Sequence, residues 1–475
     1  MEFRELIVEN IRNKSTDICC TISGIPYTYN HLEQFIERYA QSLETLPKSR
    51  LGLILRNDFN TYAAAIACIV SGVTFVPINP EYPEKRIEDI IYQSEINCCY
   101  DSLKSFTFDN LEHLNETEKS NWGVPQIEQD KYCYILFTSG TTGKPKGVPI
   151  TYGNLTAFFE GFENLDYNVN AEDRFLQMFE MTFDLSVVSY IAPLIYGASF
   201  HTLDLSLVKP LALYDALETQ KITIALMVPS AIDMLMPYSE DIDLPNLRIT
   251  QFCGEALKTR QVESWSNCVP HTQIDNVYGP TEATIYCTRY TISNDQEVLH
   301  YNGIVCIGEA MCNTTLEINE ESELCLGGAQ VSPGYLNATD KQKSKFFIKD
   351  KIRFYLSGDK GKIENNLFYC LGRMDDQVKI QGYRVELAEI EFACNKSLPL
   401  SENTAIAVEG KTGTELHLFV KSQKVQESQS ELSNNLKTLL PWYMVPHEIH
   451  WISDFPLNAN GKIDKSALRR QLIIE

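Results

Sequence analysis

Tyr134-Ile135-Leu136-Phe137-Thr138-Ser139-Gly140-Thr141-Thr142-Gly143-Lys144-Pro145-Lys146-Gly147 is the stretch that decides how this chain is read. The apolar run Tyr134–Phe137 predicts a buried strand. It empties into a loop where Thr138, Ser139, Thr141 and Thr142 are interleaved with Gly140, Gly143 and Gly147, and where Lys144 and Lys146 bracket Pro145. Glycines let the backbone approach an anion closely, hydroxyls and amide N–H groups donate to it, and lysines supply charge. Together they make a phosphate cradle. A P-loop of the kinase or GTPase type is excluded, because that motif runs G-x-x-x-x-G-K-[ST] into a helix. Here Gly140 to Gly143 is shorter, and Pro145 follows the first lysine.

A chain of 475 residues is too long for one ordinary core, so two or more domains are expected. Hydrophobic residues at 44% and charged residues at 22% are those of a globular protein. Met1–Leu6 has neither the basic start nor the apolar stretch of a secretory signal, and Ala63–Val70 is too short to span a membrane. A cytoplasmic protein without a membrane span is therefore expected. The 14 cysteines include the neighbours Cys19-Cys20 and Cys98-Cys99 but no C-x-x-C, which predicts reduced, mostly buried thiols. A net charge of −22 argues against general nucleic-acid binding and leaves an anionic partner to find a local basic patch. Lys462, Lys465, Arg469 and Arg470 are the candidates.

Short apolar runs (Leu53–Leu55, Thr74–Val76, Ile222–Met227) alternate with amphipathic stretches such as Tyr29–Leu43 and Pro83–Ser94. That alternation predicts an α/β fold: a large N-terminal domain of layered sheets and helices, with largely parallel strands. Over Phe354–Arg373 the texture changes to short strands and turns, and Glu386–Asn395 reads as a helix. A boundary near Asp375 divides the chain into residues 1–374 and a smaller, mobile α+β domain of residues 375–475. Residues 427–437 are polar enough for a loop running into a surface helix.

Four further segments stand in order behind the first. Tyr278-Gly279-Pro280-Thr281-Glu282-Ala283-Thr284 turns sharply and presents an aromatic ring, a hydroxyl and a carboxylate together. Tyr355-Leu356-Ser357-Gly358-Asp359 ends on an acceptor with two oxygens. Leu371 to Glu386 contains Arg373, Asp375 and Gln381-Gly382-Tyr383-Arg384. Pro456-Leu457-Asn458-Ala459-Asn460-Gly461-Lys462-Ile463-Asp464 puts a lysine just after a turn, and it follows Leu440-Pro441-Trp442-Tyr443-Met444-Val445-Pro446. With Val76–Pro83 near the start, this series resembles the adenylate-forming superfamily over nearly the whole chain. That superfamily comprises acyl-CoA synthetases, luciferases and the amino-acid adenylation domains of nonribosomal peptide synthesis.

The resemblance implies ATP and Mg²⁺ as cofactors, with the following roles. Thr138, Ser139, Gly140, Thr141, Thr142, Gly143 and Lys144 cradle phosphate, and Thr138, Lys146 and Lys462 act in catalysis. Asn276, Tyr278 and Gly279 surround the adenine, with Tyr278 stacked on it, while Thr281 touches the α-phosphate and Glu282 helps hold Mg²⁺. Asp359 accepts the ribose hydroxyls, Arg373 contacts ribose or phosphate, Lys462 bridges the substrate carboxylate and the α-phosphate, and Asp375 is the hinge. Gln381 stands where an arginine is frequent, and Glu320–Leu324 replaces a longer hairpin.

Phe183-Asp184-Leu185-Ser186 distinguishes the amino-acid activators. A substrate ammonium in a half-dry pocket needs an opposite charge, since its desolvation is otherwise prohibitive. By resemblance Asp184 supplies it, and Leu185, Val188, Leu226, Gln251, Cys253, Val277, Ile285 and Tyr286 line the rest. A wall without a second charge implies a small or medium neutral side chain. Phe252-Cys253-Gly254-Glu255 is similar to the Cys-Gly-Glu of D-alanine–carrier protein ligases, from which Val188 and Gln251 depart. The implied activity is adenylation of a small neutral amino acid, D-alanine leading, and transfer to the phosphopantetheine thiol of a carrier protein. No pantetheine-bearing serine motif is evident before Glu475, so the carrier is expected on another chain. An acid–CoA ligase, an adenylating enzyme for another amino acid, and a non-catalytic scaffold are the alternatives.

Overall fold

The computed structural model describes residues 2–474 apart from 46–49, 104, 109–121, 141–143, 294–296, 400, 411–412, 422–428 and 458–462. Two compact units emerge. The larger comprises residues 1–79, 91–137 and 147–374, and the smaller comprises 80–90, 138–146 and 375–475.

In the larger unit, the spatial strand order of one nine-stranded sheet is Glu309–Ala310, Thr288–Ile292, Gln273–Tyr278, Ile249–Phe252, Ile224–Met227, Arg174–Gln177, Ser199–Thr202, Ile18–Ile22 and Ile25–Thr28. Its interior strands, from Gln273–Tyr278 across to Ile18–Ile22, pair in parallel. Such strands are covered on both faces, and the four residues of Ile224–Met227 and of Ile249–Phe252 are accordingly all buried. A six-stranded sheet has the order Ser105–Phe108, Ile96–Asp101, Arg50–Ile54, Phe75–Ile78, Tyr132–Thr138 and Lys146–Thr151. Helices Phe3–Asn13, Phe59–Ser71, Tyr152–Glu163 and Asp184–Tyr196 and strands of both sheets share one apolar cluster. Asp58 caps the second of these helices by accepting from the Thr61 amide, and Gly72 ends it in the left-handed region.

The segment read as short strands over 354–373 is different: Ile352–Glu364 is a single strand of 13 residues. Gly358, at φ +76°, and a register shift between Asp359 and Gly361 bend it. One strand thereby pairs with Glu323–Gly328, Phe346–Lys349 and Leu367–Arg373. Thr314–Ile318 completes this sheet, joined to Glu323–Gly328 by a short turn in which Asn319 accepts from the Glu323 amide.

In the smaller unit, Gln377–Ile380 and Tyr383–Glu386 form a hairpin. Both loop residues, Gln381 and Gly382, have positive φ, as a tight two-residue connection requires. Asn403–Gly410, Gly413–Lys421 and Glu448–Ile452 make a three-stranded sheet, accompanied by helices Leu387–Ser397, Gln429–Leu439 and Lys465–Ile474. The basic patch is weaker than its sequence suggests. Lys465 is paired with Asp376 at 2.8 Å and lies 3.6 Å from Glu391, and Lys462 lies outside the described residues.

Among the described residues no helix is long and apolar enough to cross a membrane. None of the 14 cysteines forms a disulfide, and Cys312 is exposed. Burial pushes Cys98 up to about 12 and Cys306 and Cys325 up to about 11. Because the thiolate is the reactive form, brief alkylation of native protein at neutral pH is expected to label Cys312 well ahead of Cys98, Cys306 and Cys325. Peptide mapping by mass spectrometry checks this, and equal labelling of those four refutes it.

Candidate active site

The topology of the nine-stranded sheet locates a crevice before any side chain is considered. From Arg174–Gln177 the chain passes through helix Asp184–Tyr196 to Ser199–Thr202 on one side, then returns as Ile224–Met227 on the other. Strand order reverses there, and open α/β sheets bind ligands at the carboxyl ends of strands flanking such a point. Asp184 is the first residue of the intervening helix, and Leu226, Gln251 and Val277 lie near the carboxyl ends of successive strands. Leu226 is paired with Gln251 in register, and Cys253 follows the end of its strand.

Every expected member of the pocket is buried, and Leu185, Val188, Leu226, Cys253, Val277, Ile285 and Tyr286 belong to the same apolar cluster. Asp184 is 8% exposed at a helix N-terminus, where the backbone dipole favours its anion. Gln251 Nε2 donates to Tyr167 Oη at 2.9 Å and Tyr286 Oη at 3.1 Å, and Tyr167 donates to Asp275 Oδ2 at 2.5 Å. Burial raises Asp275 above the usual carboxylate range, partly opposed by the Tyr167 and Gln273 hydrogen bonds. Tyr167 and Asp275 were not legible as part of this chain, since neither lies in a motif. Thr284 and Ile285 both have positive φ, +57° and +71°. For β-branched residues such a conformation costs on the order of 1–3 kcal/mol each, and it clusters at functional sites.

A second cluster in the larger unit joins motifs far apart in sequence. Asp359 Oδ2 accepts from Tyr278 Oη at 2.6 Å, and Asp359 Oδ1 from Arg373 Nη1 at 3.2 Å. Arg373 also donates to the Ser357 carbonyl at 2.6 Å. Desolvation, then the Asp359 charge, holds the Tyr278 phenol well above its usual value. Glu282 is fully buried, and its Oε1 accepts from Tyr335 at 2.5 Å and Tyr355 at 2.9 Å. Tyr355 opens the motif that ends at Asp359, but Tyr335 was missed, being outside every motif. Asn276 commits its amide to the Cys306 carbonyl at 2.8 Å, Gly279 is half-buried beside Tyr278, and Thr281 begins a one-turn 3₁₀ helix.

The glycine-rich loop belongs to the smaller unit. Ser139 donates to the Arg384 carbonyl at 2.8 Å, the Gly140 amide lies 3.2 Å from Glu389 Oε2, and Lys146 pairs with Glu386 at 3.0 Å. Arg86 pairs with the same Glu389 at 2.7 Å. A Cβ on Gly140 would lie 1.9 Å from the Lys144 carbonyl oxygen, so only glycine fits beside it. Thr138 is half-buried at the strand's end and Lys144 is exposed. Thr141, Thr142 and Gly143 lie outside the described residues. Asp375 is exposed, and its Oδ1 accepts from the Gln377 amide at 3.3 Å.

The AMP-binding enzyme family matches residues 8–336. The D-alanine–D-alanyl carrier protein ligase of Staphylococcus epidermidis is 32% identical over 459 residues, 93% of either chain. The ligase of the same name from Staphylococcus aureus is 32% identical over 454 residues, 92% of this chain and 93% of its own. Among solved structures, the Vibrio cholerae adenylation domain AlmE in complex with glycyl-adenosine-5'-phosphate superposes with a TM-score of 0.87 at 25% identity. It covers 100% of this chain and 98% of its own. A buried carboxylate at a switch-point helix, a Tyr–Asp–Arg chain and a glycine-rich loop thus accompany similarity along almost the full length, and the chain belongs to the AMP-binding enzyme family.

Proposed function

We propose that this protein activates a small neutral amino acid, with D-alanine the leading candidate, as an aminoacyl adenylate and passes it to the phosphopantetheine thiol of a separate carrier protein. One observation carries the substrate class: Asp184 is a buried carboxylate among pocket residues that are otherwise uncharged. It suits an ammonium and offers nothing to a second charge on the substrate. The ligases named above support carrier loading, and the glycyl adenylate in the Vibrio relative supports a small side chain.

In this reading the substrate carboxylate attacks the α-phosphorus of ATP and pyrophosphate leaves. The protein supplies position and counter-charge. Tyr278, Asn276 and Gly279 receive the adenine, Asp359 and Arg373 the ribose, and Thr281, Lys462 and residues 138–146 the phosphates. A carboxylate has about four acceptor sites, so Asp359 keeps capacity for ribose hydroxyls beside its two present bonds. Glu282 suits Mg²⁺, a hard cation that takes carboxylate oxygen and offsets phosphate charge when bound. The working compartment is the cytoplasm, where ATP is supplied and thiols stay reduced.

The test is a panel of D- and L-amino acids in ATP–pyrophosphate exchange, followed by thioester formation with carrier protein or free coenzyme A. Activity with D-alanine, and weaker activity with glycine, serine or L-alanine, is expected, because apolar walls discriminate only about 10–200-fold per methylene. Exclusive use of acidic, basic or aromatic amino acids overturns the pocket reading. Loading of coenzyme A in preference to a carrier protein overturns the acceptor.

The proposed working domains are residues 1–374 and 375–475, hinged at Asp375; they differ from the compact units in counting residues 80–90 and 138–146 with the larger. Asp375→Pro, which fixes φ near −65°, is expected to impair one half-reaction far more than the other. Single-turnover measurement of each half on the folded variant checks this, and equal losses in both argue against the hinge.

A further inference from the structure

The geometry points to a binding site for one divalent transition-metal ion of the zinc class on the smaller unit, built from His417, His450 and Glu448. Strands Gly413–Lys421 and Glu448–Ile452 run parallel, with His417 paired to Glu448 and Phe419 to His450. Side chains alternate along a strand, so 415, 417 and 419 share one face with 448 and 450. His417 Nδ1 lies 3.0 Å from His450 Nε2, and His450 Nε2 lies 3.6 Å from Glu448 Oε2. One ligand atom from each residue falls within 4.8 Å of the others. Ligands bonded tetrahedrally at 2.0–2.2 Å stand about 3.3 Å from one another, and two imidazoles with a carboxylate are a donor set that zinc accepts.

The atoms behind the ligands support the same assignment. With Nδ1 turned into the cluster, His417 Nε2 points away from it, towards Glu415 Oε2 at 3.8 Å. His417 is 6% exposed, and this Nε2 is a buried polar atom without a hydrogen-bond partner. Metal-bound imidazoles donate their second N–H to a carboxylate, and Glu415 is the acidic neighbour on that side, although 3.8 Å is longer than a hydrogen bond. His450 is stacked on Phe419, centroids 4.6 Å apart and planes at 21°, which restricts its ring. His447, whose ring centroid is 6.1 Å from that of His417, is the nearest further imidazole. The two rings face each other across 3.0 Å, and an ion bound to both would tie the two strands together. None of these residues belongs to the machinery of adenylation.

Untagged, chelator-treated full-length protein titrated with ZnCl₂ and with CoCl₂ tests the site. One equivalent of zinc should remain after gel filtration, with a raised Tm that chelation reverses. Cobalt should give a histidine–carboxylate visible spectrum without the thiolate charge-transfer band that binding at cysteine would produce. His417→Ala and His450→Ala should each abolish retention of zinc through gel filtration and remove the Tm gain, while pyrophosphate exchange persists. Glu448→Gln, at an exposed position, should weaken binding measurably, and it keeps the test available if His417→Ala does not fold. Failure to retain zinc, retention unchanged in His450→Ala and Glu448→Gln, or a thiolate-dominated cobalt spectrum overturns the site.

Discussion

Lys462→Ala should lower amino-acid-dependent ATP–pyrophosphate exchange by about 10²–10³-fold. Transfer from preformed aminoacyl adenylate to the thiol should stay within a few-fold of wild type. The asymmetry follows from where charge gathers. In adenylate formation a carboxylate approaches an already anionic α-phosphate, so a bridging ammonium is worth most there. In thioester formation the adenylate is consumed, and the same cation has less to stabilise. Lys462 itself lies outside the described residues, but Leu457 and Ile463 on either side of its segment form a β-bridge. The Asp464 amide donates to the Pro456 carbonyl at 2.7 Å beside it. A variant that exchanges pyrophosphate at near wild-type rate removes Lys462 from the reaction.

Asp184→Asn should raise KM for the amino acid by about 10²-fold or more, leaving KM for ATP nearly unchanged. Taking one partner from a buried ion pair costs about 3–5 kcal/mol, because the remaining charge stays desolvated. Asparagine is close in shape to aspartate, and the helix-dipole contribution it gives up is only about 0.3–1 kcal/mol, well below the loss expected at the ammonium. That separates the ammonium role from a purely structural one at the start of helix Asp184–Tyr196. Initial-rate kinetics over a wide amino-acid range decide it. An unchanged KM leaves Asp184 as a helix-end residue.

Secondary structure is legible in the sequence where local rules suffice. The strand before the glycine-rich loop runs Tyr132–Thr138, and helix Leu387–Ser397 lies where Glu386–Asn395 was expected. The long strand Ile352–Glu364 escaped the reading because Gly358 and Gly361 resemble turn residues until three partner strands are known. Lys465 counted towards a basic patch because Asp376 and Glu391, which neutralise it, are far away in sequence.

Residue order alone made the candidate groups legible: a run of glycine, hydroxyl and lysine, an Asp359 after Gly358, and an Asp184 in Phe-Asp-Leu-Ser. Residue types and short spacings set these, and they need no partner to be recognised. Tertiary structure alone decided what those groups bind to at rest. It linked Asp359 to Tyr278 and Arg373, closed Tyr335 and Tyr355 over Glu282, and set Tyr167 and Asp275 behind Gln251. It also paired Lys146 with Glu386 and gathered His417 with His450. A buried polar group must find a partner, but strand pairing and packing, which join residues up to hundreds apart, choose which one.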